Sequence, residues 1–361
     1  MFDLLGGRAV EASDAEWATA AAIASDHRLE PWLHDVWGGD EAVPAALSQR
    51  WAAAYRDAAL SALAHERSLL RIADLLEVQA IVLKGSWLAR SVYDQTALRP
   101  VRDIDLLLAP DEVVAAWKAL QAKGFTQAEP LELAPAEWAR RYKHMPALRD
   151  PDGVVVELHA RLWDDGLGAP DYPADLFERA VADPRHPALL ALHTSDILMH
   201  GAVHGVWAHR WDNGPLGLID LALMCERLDP DWREVWQRGE EHGWDRMLAA
   251  QIAATDRWLK PGLLTRARCP INVPPALVKD AARMMTAPSS MREHDRSARR
   301  LTASPRGRTK ALGTRLRRLR EPGKAARWFI EQAQGWWAVR RNRDGAARLG
   351  ANRELEDWLT G

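Results

Sequence analysis

The sequence predicts an α+β fold: a small mixed β-sheet with flanking helices, followed by a helical C-terminal region. Three observations predict it. Residues 12–79 are rich in alanine and poor in glycine and proline, which favours helix. Three short apolar runs follow between residues 80 and 160, each beside turn-forming residues, as is typical of buried strands. Residues 187–260 return to a helical pattern, and residues 276–361 look helical but polar and basic.

The apolar runs alternate with two predicted helices. The runs, which are the candidate strands, cover residues 80–83, 104–108 and 154–158. A short helix is expected over residues 87–93. A second is expected from Asp111, as its N-terminal cap, to about Lys123, with Gly124 ending it. This order of strands and helices is typical of an α/β or α+β unit. Further helix starts are expected near Asp231 and Gly243.

These changes in pattern divide the chain into four segments. Residues 1–79 are expected to pack as helices on the core, residues 80–170 to form that core, residues 171–278 to form a helical domain, and residues 279–361 to form a basic helical C-terminal region. The last segment holds 20 Lys and Arg against 9 Asp and Glu, although the whole chain has a net charge of only −2. A basic segment beside an acidic body favours an anionic partner, or attraction between the two parts.

Composition excludes several classes of protein. Hydrophobic residues make up 47% of the 361 residues and charged residues 27%, which is typical of a globular protein and argues against wholesale disorder. No apolar run is long enough to cross a bilayer, and no basic stretch leads into an apolar one at the start. The two cysteines have no metal-type spacing. We therefore expect a cytoplasmic protein without a transmembrane segment.

The most informative motif is the triplet Asp103-Ile104-Asp105, at the start of the second candidate strand. Side chains alternate along a strand, so both aspartates are expected on the same face, where their charges repel. A divalent cation would relieve this repulsion, and Mg²⁺ prefers oxygen ligands. A solvated strand end is the alternative interpretation.

Glu157 supplies a third acid within an apolar run, in Val156-Glu157-Leu158-His159. A charge in a buried strand needs a compensating partner. If this strand lies beside the Asp103–Asp105 strand, three carboxylates converge and can hold the pair of metals used for phosphoryl transfer. The alternative is a salt bridge from Glu157 to Arg102 or Arg161.

Gly85 and Ser86 lie between the first candidate strand and the following helix, directly after Lys84. A glycine there lets backbone amides approach a phosphate closely, and the helix N-terminus favours negative charge. Ser86 would add a hydroxyl donor and Lys84 a cation, although a structural ion pair is an equal alternative for Lys84.

These motifs together resemble the DNA-polymerase-β-type nucleotidyltransferase superfamily. The resemblance is closest to a bacterial branch described as an uncharacterised nucleotidyltransferase family. It rests on the following residues: Leu83-Lys84-Gly85-Ser86, Tyr93, Arg99-Pro100, Asp103-Ile104-Asp105-Leu106-Leu107 and Glu157-Leu158-His159. The branch more often has aspartate where this chain has Glu157. Weaker likeness continues through the following residues: His144-Met145-Pro146, His200, His204 and Leu218-Ile219-Asp220-Leu221.

The resemblance implies a nucleotidyltransferase core and a reaction that transfers a nucleoside monophosphate from a nucleoside triphosphate, releasing pyrophosphate. It implies that Asp103, Asp105 and Glu157 are catalytic and bind Mg²⁺, or Mn²⁺ in its place. The triphosphate would be held by four residues: Lys84, Gly85, Ser86 and Arg99. The acceptor, or the residues behind the metal, would be contacted by a further set: His144, His159, His200, His204 and Asp220. For that set, hydrogen-bonded core histidines and a buried ion pair of Asp220 are the structural alternatives.

The acceptor is expected to be a small molecule or a peptide. One alternative is a toxin-like enzyme that modifies tRNA, with the basic segment 292–327 holding phosphates. A solvated face is the more common explanation of such a segment, so nucleic acid is not the favoured partner. Another alternative is a non-catalytic nucleotide-binding protein, although the complete acidic set argues against it.

Overall fold

The computed structural model describes residues 1–131, 133–164, 170, 172–288, 291 and 343–360. Helices dominate this part of the chain, and they surround one mixed sheet, as the sequence predicts. Four helices precede the sheet: α1 (Phe2–Leu5), α2 (Asp14–Asp26), α3 (Glu30–Trp37) and α4 (Ala45–Leu75). Within the sheet region the chain forms α5 (Lys84–Ser91), a 3₁₀ turn (Thr96–Leu98), α6 (Val113–Ala122), α7 (Pro135–Arg141) and α8 (Leu176–Arg179).

The helices that follow the sheet belong to the C-terminal half. They are α9 (Thr194–Ala202), a π-helix (Val203–Ala208), α10 (Leu216–Arg227), α11 (Trp232–His242), α12 (Asp245–Trp258), α13 (Leu263–Arg266), α14 (Pro275–Met285) and α15 (Arg343–Thr360). None of the helices that the structure describes combines the length and the apolar character required to span a membrane.

The sheet has seven strands in the order β3-β4-β5-β2-β1-β7-β6. The strands are β1 (Ala80–Val82), β2 (Asp103–Leu107), β3 (Thr126–Gln127), β4 (Leu148–Arg149), β5 (Val155–His159), β6 (Val181–Ala182) and β7 (Leu189–Ala191). β2 runs parallel to β5 and antiparallel to β1, while β1 runs parallel to β7. The predicted α+β fold with a small mixed sheet is therefore confirmed. The sequence pattern predicted β1, β2 and β5 and missed the other four strands, which have two or three residues each.

The central strands are buried on both faces, which explains why their sequences are short continuous apolar runs. Ile81 and Ile104 are fully buried, and so is Leu106. Long helix α4 covers the sheet region with an apolar stripe that includes Leu69 and Ile72, both buried. The sheet core and the helices that follow it share one continuous hydrophobic core.

The start of α6 differs from the prediction. The helix begins at Val113, its N-terminal cap is Glu112, and no side chain caps it. The amides of Glu112 and Val113 instead bond to the backbone carbonyl of Ala109, at 2.9 and 3.2 Å. Because this turn already satisfies the first free amides, the predicted cap at Asp111 is wrong. Gly124 does follow the helix end with a left-handed φ of 93°, as predicted.

A buried ion pair ties the edge of the sheet to α4 and α5. Arg185 donates to both oxygens of Asp183 at 2.5 and 2.7 Å, and its third nitrogen lies 3.4 Å from Glu66 and from the Ser86 carbonyl. Burial would raise the pKa of Asp183, but the bonds from Arg185 hold it below its usual value. This pair therefore stabilises the loop that precedes β7 against the helix that begins at Lys84.

The Asp183–Arg185 pair predicts acid sensitivity. Because the pKa of Asp183 is lower in the folded protein, its contribution to stability is complete above the unfolded pKa and is lost as pH falls through the folded value. We expect Asp183→Asn to lower the free energy of unfolding more at pH 7 than at pH 3. Urea titrations of both proteins at the two pH values measure this difference. Equal losses at both pH values would contradict the prediction.

The C-terminal helix packs against the preceding helices. Leu355 and Ala351 in α15 are buried, and α15 lies against α14. The Arg246 side chain of α12 also donates to the Trp358 carbonyl and lies over the Trp358 ring at 5.7 Å. The basic segment 292–327, to which the sequence analysis assigned nucleic-acid binding as an alternative, lies outside the described residues.

Truncation should separate the contributions of α14 and α15. A chain ending at Lys279 loses Met284 and Met285, which are buried, whereas a chain ending at Ala287 keeps α14 and, of the helices that the structure describes, loses α15. We expect the Ala287 chain to melt cooperatively below the full-length protein. We expect the Lys279 chain to have no cooperative transition, because half of a core helix is missing. Calorimetry of the three chains is the measurement, and equal melting temperatures would contradict the packing described here.

Candidate active site

The acidic residues lie on two neighbouring parallel strands. Asp105 of β2 is paired in register with Glu157 of β5, and Asp103 precedes Asp105 by two residues. Since side chains alternate along a strand and parallel partners share a face, the three carboxylates lie on one face of the sheet. The adjacency that the sequence hypothesis required is therefore present. The sequence signal for this adjacency is the pair of similar apolar runs that form strands β2 and β5, which lie side by side.

Two cationic or hydrogen-bonding groups hold Asp105. The Lys84 Nζ lies 2.6 Å from Asp105 Oδ1, and the His159 Nε2 lies 2.8 Å from the same oxygen. The carboxylate and the His159 ring are almost completely buried. Burial alone would raise the pKa of Asp105, but Lys84 and His159 hold it well below its usual range. Asp105 is therefore ionised, and its orientation is fixed.

Lys84 reaches Asp105 because of local backbone geometry. The Leu83 amide bonds to the Asp105 carbonyl at 3.0 Å, which brings the end of β1 beside the middle of β2. Lys84 itself adopts a left-handed φ of 48°, uncommon for a residue with a side chain. Such strain is often found at functional sites. The structure thus contains the ion pair that was the alternative interpretation of Lys84. The resemblance implies a phosphate contact at the same residue.

Glu157 faces two histidines. Its Oε2 lies 3.4 Å from His159 Nε2 and 3.8 Å from His144 Nε2. Burial would raise the pKa of Glu157, but hydrogen bonding with His159 and the charge of His144 hold it below its usual value. One ligand atom each from Asp105, Glu157 and His159 lies within 4.8 Å of the others, a spacing that can hold a metal ion.

Asp103 differs from the other two acids in its pKa. Burial, together with the negative charges of Asp105 and Glu157, raises the pKa of Asp103 above its usual value. A carboxylate in this situation gains from a nearby cation. The oxygen-rich donor set fits a hard divalent ion such as Mg²⁺, and the histidine nitrogen adds a ligand that Mn²⁺ also accepts.

Arg99 forms an ion pair with Asp220. The guanidinium donates to both Asp220 oxygens at 2.7 and 2.9 Å, and the Tyr93 hydroxyl donates to the same carboxylate at 2.7 Å. The structural alternative for Asp220, a buried ion pair, is therefore what the structure contains. Three residues that the resemblance selected separately, Tyr93, Arg99 and Asp220, form one cluster.

Gly85 is required by this cluster. A Cβ atom built on Gly85 would lie 2.5 Å from Arg99 Nη1 and 3.3 Å from Val101. The absence of a side chain therefore lets the guanidinium pack directly on the backbone of α5. The Ser86 hydroxyl donates to the Asp103 carbonyl at 3.2 Å, which links the same turn to the start of β2. Gly85 and Ser86 thus fix the position of the acidic strand relative to the first turn of α5.

A cavity of about 410 Å³ opens in front of the acids, within the usual size range of ligand pockets. Sequence reasoning missed two of its cationic residues, Arg28 and Lys143. Burial and the nearby Arg102 and Arg99 lower the pKa of Arg28 to about 10. Burial and then Lys84 lower the pKa of Lys143. Positive charges crowded in this way favour an anion. No local motif marks either residue: Arg28 lies in a short connection between two helices, and Lys143 follows the basic pair Arg140-Arg141.

The two histidines of the helical half also line this cavity. His200 lies in α9 and His204 in the π-helix, with ring centroids 6.0 Å apart. π-Helical turns are frequently found at functional sites. The predicted site residues of the sheet and of the helical half thus share one cavity, except Ser86 and His159, which are not among its lining residues.

An Asp-x-Asp strand, a third carboxylate on the parallel neighbour and a Gly-Ser turn bonded to the start of the first strand define the class of protein as a nucleotidyltransferase. A family model described as an uncharacterised nucleotidyltransferase matches residues 13–260, which is more than half of the chain. The chain therefore belongs to this family, and it is a nucleotidyltransferase enzyme. Searches of curated proteins and of solved structures find no match.

Proposed function

We propose that this protein is a Mg²⁺-dependent enzyme that transfers a nucleoside monophosphate from a nucleoside triphosphate to an oxygen of a small-molecule or peptide acceptor. The observation that carries the proposal is the in-register pairing of Asp105 with Glu157, with Asp103 on the same face. Three acids on one sheet face beside a cavity with cationic lining residues fit this chemistry better than a structural role, because the negative charges of Asp105 and Glu157 disfavour ionised Asp103 unless a cation is bound.

The acids would hold the metal, and the cationic residues would hold the phosphates. Asp103, Asp105 and Glu157 offer the carboxylate oxygens. When bound, Mg²⁺, or Mn²⁺ in its place, supplies charge neutralisation of the triphosphate and activation of the acceptor oxygen. Lys84 and Arg28 lie on the cavity wall where they can contact phosphate oxygens. Arg99 acts indirectly, since its bonds to Asp220 fix the backbone at Gly85.

In the proposed reaction, the acceptor oxygen attacks the α-phosphorus and forms a new P–O bond. The bond from the α-phosphorus to the bridging oxygen breaks, and pyrophosphate leaves with the electron pair. The acceptor proton passes to a carboxylate, for which Glu157 is suited because it stays ionised beside His144 and His159. Lys84 and Arg28 offset the charge that develops on the leaving pyrophosphate.

We also propose that the protein is cytoplasmic. Both cysteines are free thiols, Cys225 buried and Cys269 partly exposed, as in a reducing compartment. Nucleoside triphosphates are the required donors. A cavity of about 410 Å³ suits an acceptor that is small or that presents a single flexible side chain.

Label transfer tests the proposal. The purified protein is incubated with each α-³²P-labelled nucleoside triphosphate, Mg²⁺ or Mn²⁺, and a cell extract, and pyrophosphate release and labelled products are measured. We expect a metal-dependent labelled product from at least one nucleotide. With γ-³²P-labelled nucleotide in its place, the label should appear in pyrophosphate. Absence of any labelled product with all four nucleotides and both metals would overturn the proposal.

A further inference from the structure

One wall of the cavity has no charged side chain other than Asp220, whose charge is paired with Arg99. It is formed by α9, the π-helix, α10 and α12, and we call it the helical wall. Apart from Asp220, its polar side chains are His200, His204 and Gln251. Burial and the positive charge of Lys84 lower the pKa of His200 to about 3, so this imidazole is neutral. Neutral groups do not bind phosphates strongly, and the cavity places its cations elsewhere.

Two polar atoms of the helical wall are buried without a partner. His200 is 5% exposed, and its Nε2 has no hydrogen bond. Gln251 is 3% exposed; its Nε2 donates to the Gly217 carbonyl at 3.0 Å, but its Oε1 has no partner. Unpartnered buried polar atoms are rare and each costs about 1–3 kcal/mol. Because both residues line the cavity, a ligand with matching groups would recover this cost.

The shape of the helical wall suits a flat ligand. The His204 ring packs edge to face against His209 at 4.4 Å and lies 6.0 Å from His200, so three imidazoles stand in series. Gly205 and Gly217 lie beside the Gln251 amide, where a Cβ on either would be in ordinary van der Waals contact with it, at 3.8 and 3.6 Å. Imidazole faces stack on nucleobases, and amide side chains pair with base edges.

We infer that the helical wall binds the base of the nucleoside triphosphate, with Gln251 Oε1 accepting from an N–H of the base and His200 contacting the same edge. This inference rests on the proposed function, which places the triphosphate at Lys84 and Arg28. It explains why neutral side chains with unsatisfied polar atoms lie in one cavity with the cations proposed to bind phosphate. A phosphate or a carboxylate would not match the neutral imidazoles.

Comparing the affinities for two ligands distinguishes contacts to the base from contacts to the phosphates. Isothermal titration in the presence of Mg²⁺ measures the affinity for the α,β-methylene analogues of the four nucleoside triphosphates and for inorganic tripolyphosphate. In the wild type, the tightest analogue should bind at least about tenfold more tightly than tripolyphosphate. Gln251→Leu and His200→Phe should each lose about tenfold in affinity for that analogue and retain the affinity for tripolyphosphate.

An exposed glutamine outside the cavity provides the control variant. Gln237→Leu, a change of the same kind on the exposed face of α11, should alter neither affinity. Unchanged affinity of Gln251→Leu and His200→Phe for the analogue, or equal losses for both ligands, would overturn the inference. If the wild type binds neither ligand, the proposed function fails and the inference falls with it. Two variants are used so that one remains informative if the other does not fold.

Discussion

Asp103→Asn is expected to reduce nucleotidyl transfer by about 10³-fold, because it removes one of three metal-binding carboxylates and several kcal/mol of transition-state stabilisation. The fold should persist. Folding raises the pKa of Asp103, so its ionised form destabilises the folded protein at pH 7, and removing the charge should leave the melting temperature unchanged or slightly higher. Initial rates of pyrophosphate release and calorimetry measure the two effects.

Asp111→Asn is the matched control for this variant. Asp111 follows the same strand, is exposed and does not line the cavity. Its replacement should leave both the rate and the melting temperature unchanged. Equal rates in the wild type and in Asp103→Asn would show that the acid has no part in the chemistry. A collapse of the melting temperature would show instead that its role is structural.

Asp220→Asn is expected to lower the free energy of unfolding by about 3 kcal/mol, because it leaves the buried guanidinium of Arg99 without its counter-ion. Burial would lower the pKa of Arg99, but Asp220 raises it above its usual value, so the arginine remains charged. The Tyr93 hydroxyl also loses its charged acceptor. Urea denaturation measures the loss, and activity should fall because Arg99 supports Gly85.

Two further variants show whether the buried charge causes this loss. The double change Arg99→Met with Asp220→Leu removes both charges and should recover most of the stability. Asp94→Asn breaks the exposed pair of Asp94 with Arg227 and should cost less than about 1 kcal/mol. A stability loss for Asp220→Asn no larger than that for Asp94→Asn would contradict the role assigned to Arg99.

Local patterns were sufficient to predict the elements that carry the acids. Strands β2 and β5 are short apolar runs between turn residues, and the two-residue spacing of Asp103 and Asp105 follows from strand geometry alone. The β6–β7 pair at one end of the sheet was missed, because strands of two and three residues give no periodic signal. The start of α6 was misplaced because a backbone turn took over the role of the cap.

Contacts between distant residues were beyond sequence reasoning. Arg99 and Asp220 are 121 residues apart, and no feature of either local sequence indicates that they pair. His159 was expected near the acids, but its bond to Asp105 depends on the packing of β2 against β5. Arg28 enters the cavity from a connection between two N-terminal helices, and an isolated basic residue there carries no motif. Such tertiary pairings determine which predicted residues are free to bind a ligand.

The central claim is that Asp103, Asp105 and Glu157 form one divalent-cation site. Mn²⁺ binding followed by electron paramagnetic resonance tests it without requiring the acceptor, using the wild type, Asp103→Asn, Asp105→Asn, Glu157→Gln and the Asp111→Asn control. The account predicts that each of the first three variants binds Mn²⁺ at least about tenfold more weakly than the wild type, while the control is unchanged. Wild-type affinity in all three acid variants would contradict it.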